Sequence, residues 1–332
     1  MYNLIGIGDP IIDTHVQIDE TCTEAKCHLS EKNDEMKLCF DYGSKIPIVD
    51  SFQSLGGNAP NVLVGATRLG LTTALISTVG GDANGAMAIE ALKKEKVNTD
   101  FITEDTKNKT RYSIILNYKK ERTILSYSNE KKYRWPSSVP PADWVYYTGM
   151  SAGFETVQEK LHSYLDKHPS TSLAINPGSY MLKYALLALR EAISWATLLI
   201  VNLEEAEKIL GSTLEKEKSV RTIIRELCSL GPKEVALTDG SHGAWAGTAE
   251  EVWHLDAYPV EVVSKTGAGD AFSSGFLTAR FHGHDIAHAL EWGIANSSGV
   301  VQNHGSQAGL CNQKELKEMM QKFKKIRPTL VS

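Results

Sequence analysis

The chain has 332 residues, of which 42% are hydrophobic and 23% are charged, a composition typical of a globular protein. Its 35 Lys and Arg residues against 40 Asp and Glu residues give a net charge of -5, without the clustered basic face that nucleic-acid binding requires. The sequence has no apolar run of membrane-spanning length and no basic segment of a secretory signal at its start. Together with five scattered cysteines, these features predict a cytoplasmic protein with reduced thiols and with no nucleic-acid or membrane partner.

The first part of the chain combines buried and half-exposed segments. Residues 4–8 predict a short buried strand, whereas residues 14–50 are polar and partly alternating, as in strands with one face in water. A helix of small and apolar residues is predicted at 59–69, followed by a buried strand at 73–79 and an amphipathic helix at 86–96.

From residue 144 onwards, strands and helices alternate regularly. Strands are predicted at 144–148, 172–176, 197–201 and 234–238, and helices at 153–167, 180–193, 203–210, 216–229, 269–282, 285–302 and 313–324. Strand–helix alternation of this kind predicts a mostly parallel sheet flanked by helices on both faces, which is a doubly wound α/β fold.

Two segments interrupt this rhythm and suggest the domain organisation. Residues 111–128 alternate on either side of a polar turn, which predicts a β-hairpin, and they could pair with 14–50 in one small antiparallel sheet. We therefore assign residues 1–13, 51–110 and 129–332 to an α/β core and the two interrupting segments to a β-sheet lid. Ligands of open α/β sheets bind at the carboxyl ends of the strands, where a lid would exclude water.

The most informative motif is Gly267-Ala268-Gly269-Asp270, which opens a run of small and apolar residues that can be helical. Glycine allows a ligand to approach the backbone closely, and free N–H groups at a helix start can bind a phosphate or a developing anion. A carboxylate on the first helical turn could then take a proton from a hydroxyl that attacks a phosphoryl group. A glycine turn with Asp270 as the helix cap explains the motif alone equally well.

A second motif contains Gly57, Asn58 and Asn61. Glycine permits close backbone approach, and asparagine amides supply both the donors and the acceptors that sugar hydroxyls need. A loop capped by Asn58 is a compatible interpretation. Asp13, after the first strand, could accept two hydrogen bonds from a vicinal diol, although a turn residue is the more common role for a lone aspartate.

Two further motifs follow buried strands in the second half of the chain. Asn202 and Glu205 could hold the water shell of a Mg²⁺ ion, but a helix capping box explains this pair at least as well. Thr238, Gly240 and Gly243 belong to a glycine-rich turn that could pass beneath the phosphate or ribose of a nucleotide. The chain contains no P-loop motif.

These motifs occur in the order and spacing of the ribokinase-like (PfkB) family of carbohydrate and nucleoside kinases, which the chain resembles over essentially its whole length. The N-terminal signature of that family resembles residues 56–70, and its C-terminal signature resembles residues 266–270. The turn at 78–85, the Asn-Pro-Gly sequence at 176–178 and the Asn-x-x-Glu motif at 202–205 lie between them. The resemblance implies a ribokinase-like fold and the ATP-dependent phosphorylation of a sugar hydroxyl, of the fructokinase or ribokinase type.

The resemblance also implies a role for each motif. Asp270 is similar to the catalytic base of the family, and the N–H groups of Gly267, Ala268 and Gly269 to its anion hole. The other site residues implied in this way are the sugar-binding Asp13, Gly57, Asn58 and Asn61, the Mg²⁺- and phosphate-organising Asn202 and Glu205 (largely through water), and the nucleotide-lining Thr238, Gly240, Gly243, Asn296 and His304. The lid is similar to lids of the family whose faces often meet in homodimers.

Two departures from the family pattern affect the expectations. Many relatives have an aspartate, which helps to bind a monovalent cation, where this chain has Ser264, followed by Lys265. We therefore expect activation by K⁺ to be weak or absent, with the Lys265 ammonium group replacing part of the ion. Asn58 stands where ribokinases have lysine and resembles the loop of the fructokinase type.

Two other functions remain open at this point. The family includes nucleoside kinases, and Met36, Phe40, Tyr42 and Tyr112 could stack a base, although we interpret them as lid core. A catalytically inactive scaffold is less expected, because a family member without activity would not need to retain Asp270.

Overall fold

The computed structural model describes residues 1–21, 25–29, 36–119, 121–211 and 219–331. The strands of these residues are β1 (Tyr2–Ile7), β2 (Ile11–Ile18), β3 (Ala25–Leu29), β4 (Met36–Phe40), β5 (Ile48–Gly56), β6 (Thr73–Gly80), β7 (Ile102–Asp105), β8 (Arg111–Tyr118), β9 (Glu121–Tyr127), β10 (Ala142–Tyr147), β11 (Ser172–Ile175), β12 (Leu198–Asn202), β13 (Glu234–Thr238), β14 (Ala244–Gly247), β15 (Val252–Leu255) and β16 (Thr329–Leu330). Their helices are α1 (Asn58–Arg68), α2 (Ala83–Lys94), α3 (Glu155–Lys167), α4 (Ser179–Tyr184), α5 (Leu186–Ser194), α6 (Leu203–Leu210), α7 (Val220–Cys228), α8 (Ala268–Phe281), α9 (Ile286–Val300) and α10 (Gln313–Lys322).

A ten-stranded sheet in the order β16-β15-β14-β13-β12-β11-β10-β1-β6-β7 forms the core. Neighbouring strands of this sheet pair in parallel from β13 through β12, β11, β10, β1 and β6 to β7. Strands β14, β15 and β16 add an antiparallel edge. Successive residues of β1 serve opposite faces: Leu4 packs with the cluster that contains Leu63 and Phe276, and Ile5 with the cluster that contains Leu161. The predicted doubly wound α/β fold is confirmed.

The two segments predicted to form a lid, for which we keep that name, contribute a four-stranded sheet in the order β5-β2-β8-β9. Its two sequence segments meet at β2 and β8, which pair in parallel from Ile11 opposite Arg111 to Gln17 opposite Asn117, while the outer pairs are antiparallel. Strand β2 begins before residue 14 and β5 continues to Gly56, so the lid strands extend beyond the boundaries drawn from the sequence. Strands β3 and β4 form a separate two-stranded sheet.

The predicted helices differ from the observed ones in two places. The helix predicted at 180–193 is divided into α4 and α5, because Ala185 leaves the helical conformation with φ -138° and ψ 40°. The helix predicted at 216–229 corresponds to α7, which Ser219 caps through its hydroxyl, and residues 216–218 lie outside the described residues. No helix in the described ranges has both the length and the apolar character that crossing a membrane requires.

The short strands β7, β14, β15 and β16 were not predicted. Each has two to four residues, which is too short for a periodic pattern to stand out from its surroundings.

Candidate active site

A cavity of about 200 Å³ opens at the carboxyl ends of the central strands, where the polypeptide enters α6 and α8. Ligands of open α/β sheets bind at this edge. The cavity brings together many of the residues singled out in the sequence, namely Asn58, Asn202, Glu205, Thr238, Gly267, Gly269 and Asp270. Asn176 and Ser273, for which the sequence predicted no site role, also line it.

The start of α8 forms one wall of this cavity. Gly267 precedes the helix with φ 80° and ψ 0°, a left-handed conformation that glycine adopts without strain. A Cβ atom at Gly267 would lie 2.6 Å from the Cβ atom of Ser306, so the close packing there also requires glycine. Because the first N–H groups of a helix have no intrahelical acceptor, and Gly267 and Gly269 line the cavity, this helix start can bind an anion.

Asp270 lies on the first turn of α8, directly beside this anion site. Its Oδ2 atom accepts a hydrogen bond of 2.7 Å from Nδ2 of Asn61 in α1. Burial raises the pKa of Asp270 to about 6, hydrogen bonds from Asn61 and Asn58 oppose that rise, and the negative charge of Asp13 adds to it. A carboxylate with a pKa close to neutrality suits a general base.

A chain of amide hydrogen bonds supports the floor of the cavity. Nδ2 of Asn58 donates to Oδ1 of Asn176 at 3.1 Å, and Nδ2 of Asn176 donates to the backbone carbonyl of Ile200 at 2.9 Å. Asn176 follows β11 and was recognised in the sequence only as part of an Asn-Pro-Gly turn. Its position at the end of a parallel strand, next to other polar strand ends, was the available signal.

Asn202 and Glu205 form the capping box expected as the alternative interpretation of their spacing. Oδ1 of Asn202 accepts from the N–H group of Glu205 at 2.9 Å, and the Glu205 carboxylate accepts from the N–H group of Asn202 at 3.0 Å. Both residues also line the cavity. Burial raises the pKa of Glu205 to about 7, and the charge of Asp270 contributes to the rise.

The donor set fits a cation that is bound mainly through water. A positive charge near Glu205 and Asp270 would offset the cost of burying two carboxylates in one cavity. Within the described ranges, no group of three or more His, Cys, Asp or Glu side chains could hold a metal by itself. Mg²⁺ keeps several waters and takes few protein carboxylates, so this site matches Mg²⁺ better than a fully coordinated ion.

Asp13 is the third residue of β2 and therefore part of the lid sheet, not a turn residue. Burial raises its pKa to about 6, while a hydrogen bond with Ser113 and the charge of Arg111 lower it. Gly56 of β5, which pairs with Ile11, leaves room for the carboxylate, since a Cβ atom there would collide with Asp13 Oδ2. Asp13 does not line the 200 Å³ cavity, but its charge acts on Asp270.

A buried ionic cluster centred on Asp9 lies where the lid joins the core. The Asp9 carboxylate is 1% exposed and accepts hydrogen bonds from the hydroxyls of Tyr133 at 2.6 Å and Ser151 at 3.2 Å. Arg111 and Lys131 approach it at 3.4 Å and 3.5 Å. Sequence reasoning missed this cluster, because the distances along the chain between its members carry no pattern.

The predicted nucleotide-lining residues are divided between several places. Thr238 lines the cavity, and Gly240 begins a 3-10 turn that ends before Gly243, which has φ 87°. Asn296 is fully buried instead: its Nδ2 donates to the carbonyl of Ala271 and to Ser274 Oγ, and its Oδ1 accepts from the N–H group of Cys311. These partners leave it a packing role beneath α8.

His304 also lies away from the cavity. It is exposed on the loop after α9. Burial is the main cause of the lowered pKa of His15 in the lid, and the charge of His304 lowers it further.

Gly57, predicted to bind the sugar, lies at the start of α1 with φ 98°, where a Cβ atom would collide with the carbonyl of Asp9.

The chain is similar to several known kinases. The chain is 26% identical over 264 residues to a ribokinase of Staphylococcus aureus (strain COL), covering 77% of this chain and 84% of that protein. It is 24% identical over 258 residues to a nucleoside kinase of Methanothermobacter thermautotrophicus, covering 77% and 81%. The structure of Arabidopsis thaliana ribokinase complexed with ribose and ATP shares the fold, with a TM-score of 0.77, 19% identity and coverage of 96% and 98%.

The family model described as "pfkB family carbohydrate kinase" matches residues 41–314. This range includes both the glycine–asparagine motif at 56–61 and the motif that ends at Asp270. Because the match extends over most of the chain, the protein belongs to the pfkB family of carbohydrate kinases, which are phosphotransferases.

Proposed function

We propose that this protein catalyses the ATP-dependent phosphorylation of a sugar hydroxyl by in-line transfer. The observation that carries the proposal is the Asp270 carboxylate, held by Asn61 at 2.7 Å on the first turn of a helix whose start can bind an anion. A base for the attacking hydroxyl and N–H donors for the transferring phosphoryl group thus share one cavity. Phosphoryl transfer requires little from a protein beyond such positioning and charge stabilisation.

In the proposed reaction the acceptor hydroxyl lies between Asp270 and the lid. Asp270 takes the hydroxyl proton as the oxygen attacks the γ-phosphorus atom of ATP. The new oxygen–phosphorus bond forms while the bond to the bridging oxygen breaks, and ADP leaves. N–H groups of Gly267, Ala268 and Gly269 stabilise the negative charge of the phosphoryl group.

The remaining site residues have supporting roles in this proposal. Asn202 and Glu205 would hold Mg²⁺ through water, and the ion would supply positive charge to the phosphates of the nucleotide. Thr238, Gly240 and Gly243 would border the nucleotide. Asp13 and Asn58, together with the close backbone approach at Gly57, would bind the sugar hydroxyls.

A coupled ADP-release assay tests the proposal, with Mg-ATP and a panel of sugars and nucleosides. We expect turnover on a sugar, and a loss of about 10²- to 10⁴-fold in the Asp270→Asn variant, because that variant lacks the base. The exposed Asp256→Asn is the matched control and should leave turnover unchanged. Wild-type turnover in Asp270→Asn would refute the assignment of the base.

Phosphorylation of a nucleoside is the second candidate, and the similarity to a nucleoside kinase favours it as much as the ribokinase similarity favours a sugar. The packing of Tyr112 supports the sugar. Tyr112 packs against the core and stacks on Tyr127 at 5.0 Å, and Tyr42 is fully exposed. Phe40 is also exposed, so the lid-core interpretation is wrong for Phe40 and Tyr42, and the side chain of Met36 lies outside the described residues. Turnover on nucleosides alone in the same panel would establish the second candidate.

We also propose that the enzyme does not depend on K⁺. Ser264, where many relatives have aspartate, accepts a hydrogen bond from the N–H group of Thr266 at 3.2 Å, so a neutral hydroxyl organises this loop. Turnover should be the same in potassium and tetramethylammonium salts. A large gain specific to K⁺ would contradict the proposal.

A further inference from the structure

Asn61 has more protein partners than a residue that only binds substrate needs. Its side chain is 3% exposed, and its Nδ2 atom donates to Oδ2 of Asp270 at 2.7 Å. Its Oδ1 atom accepts from the hydroxyl of Ser306 at 3.1 Å and from Nε2 of Gln307 at 2.9 Å. The amide therefore connects α1, α8 and the loop that follows α9.

These partners determine which way the Asn61 amide points. An amide has a donor end and an acceptor end, and two donors already occupy the acceptor end. A reversed amide would place Oδ1 against the Asp270 carboxylate and Nδ2 against the Nε2 donor of Gln307. Both contacts would then be repulsive, so the observed orientation is strongly preferred.

Ser306 and Gln307, the two donors to Asn61, are themselves held in place. Arg68 of α1 donates to the backbone carbonyl of Gln307 at 2.8 Å and to that of Leu310 at 3.1 Å. Ser306 is buried, with its Cβ atom packed against the backbone of Gly267. The loop that carries both donors is therefore anchored next to the start of α8.

We propose that Ser306 and Gln307 are positioning residues that act through Asn61 to orient the Asp270 carboxylate for proton transfer. The role of Asp270 as base rests on the proposed function, whereas the hydrogen-bond chain does not. Ser306 and Gln307 contact neither the acceptor nor the nucleotide in this scheme. Their effect reaches the reaction only through the direction in which Asn61 presents its N–H group.

The charges around Asp270 determine how its pKa should change when the hydrogen-bond chain through Asn61 is lost. Burial is the largest cause of the raised pKa of Asp270, of Glu205 on α6 and of Tyr146 on β10. The charge of Asp13 adds to the rise at Asp270, and the charge of Asp270 adds to the rises at Glu205 and Tyr146. Hydrogen bonds from the amides of Asn61 and Asn58 oppose burial and these negative charges. If Asn61 turns its oxygen to the carboxylate, the pKa of Asp270 should rise further.

The test is a titration of the Asp270 Cγ carbon by NMR in protein labelled with carbon-13 aspartate, its signal assigned by its absence from Asp270→Asn. The variant Ser306→Ala/Gln307→Met removes both donors with little change in shape. We expect its Asp270 titration midpoint to lie about one pH unit above that of wild type, as for loss of a hydrogen bond to a charged group. The acid limb of kcat should shift by the same amount, and kcat should fall about tenfold.

The control is Gln302→Met, which removes another glutamine donor from the same part of the chain. Nε2 of Gln302 donates to the carbonyl of Ser298 and not to Asn61, so its loss should leave the Asp270 titration unchanged. If the double variant does not fold, Gln307→Met alone is expected to show a smaller shift in the same direction.

Equal Asp270 midpoints in wild type and in folded variants would overturn the positioning role. A shift of equal size in Gln302→Met would also overturn it, because the effect would then be a general loss of packing. A wild-type protein that phosphorylates nothing in the panel would defeat the proposed function alone. The carbon titration measures the effect of the hydrogen-bond chain on Asp270 without requiring catalysis. Failure of the positioning role can therefore be distinguished from failure of the proposed function.

Discussion

Every residue of core strand β6 is buried, whereas the first six residues of lid strand β5 and of lid strand β9 are exposed. The core positions Asp270 and Glu205 at ends of elements that pack on a completed hydrophobic interior. The lid positions Asp13 on a sheet whose edge strands contact water on both faces. In the proposed mechanism the core would maintain the geometry of phosphoryl transfer, and residues of the lid could differ with the acceptor at little cost in stability.

The largest effect is expected from a change at the start of α8 in the core. Gly267→Ala introduces a Cβ atom at φ 80° and 2.6 Å from Ser306 Cβ, which should displace the N–H groups of the anion site. We expect kcat to fall about 10²- to 10³-fold, as when a donor to a developing anion is lost.

Gly283→Ala is the matched control for that change. Gly283 has φ 78°, but a Cβ atom there would meet nothing within 4 Å. It should share the backbone strain, about 1–2 kcal/mol of unfolding free energy by chemical denaturation, and retain kcat. Equal loss of kcat in both variants would show that strain, and not the anion site, is responsible.

A change in the lid should act on acceptor binding instead. Asp13→Asn keeps the size of the side chain but removes the charged acceptor for a vicinal diol. We expect KM for the acceptor to rise about 10- to 100-fold with KM for ATP unchanged, measured by steady-state kinetics, as for loss of charge-assisted hydrogen bonds. Asp50→Asn, on an exposed position of β5, is the control. If Asp13→Asn raised KM for the acceptor and KM for ATP equally, the assignment of acceptor binding to the lid would be contradicted.

The pH dependence separates the same two regions, because burial raises the pKa of both Asp270 and Asp13 to about 6. A base must be deprotonated, so kcat should fall about tenfold between pH 7 and pH 5 as Asp270 gains its proton. KM for the acceptor should rise over the same interval as Asp13 gains a proton. The Asp13→Asn variant should lose the rise in KM and keep the fall in kcat, shifted to lower pH because the charge of Asp13 no longer raises the pKa of Asp270. A wild-type kcat that is constant from pH 5 to pH 8 would contradict the assignment of Asp270.

The smallest effect on turnover is expected from the lid surface. Phe52 and Ile124 are exposed and lie on the same face of the lid as Asp13, and we propose that this face is covered in a homodimer. Ile124→Lys should convert a dimer to a monomer in sedimentation velocity, with turnover within about threefold of wild type, since the transfer site lies in the core. Thr123→Lys changes the neighbouring residue on the opposite face and should leave the dimer intact. A wild-type monomer would exclude this role for the lid.

The sequence alone determined the fold class and the motif order. Regular strand–helix alternation requires a covered parallel sheet, and parallel strands bring their carboxyl ends to one edge. The family resemblance of their motifs predicted that Asn202, Thr238 and Asp270, distant along the chain, share a site, and they do line one cavity.

The tertiary structure decided what depends on contacts between remote segments. The parallel pairing of β2 with β8, the ionic cluster of Asp9 and the packing role of Asn296 have no local signature. The same is true of Asn61 and Gln307, which are 246 residues apart and share one hydrogen bond. Periodicity and capping act over a few residues, whereas the partner of a buried amide is determined by the packing of the whole core.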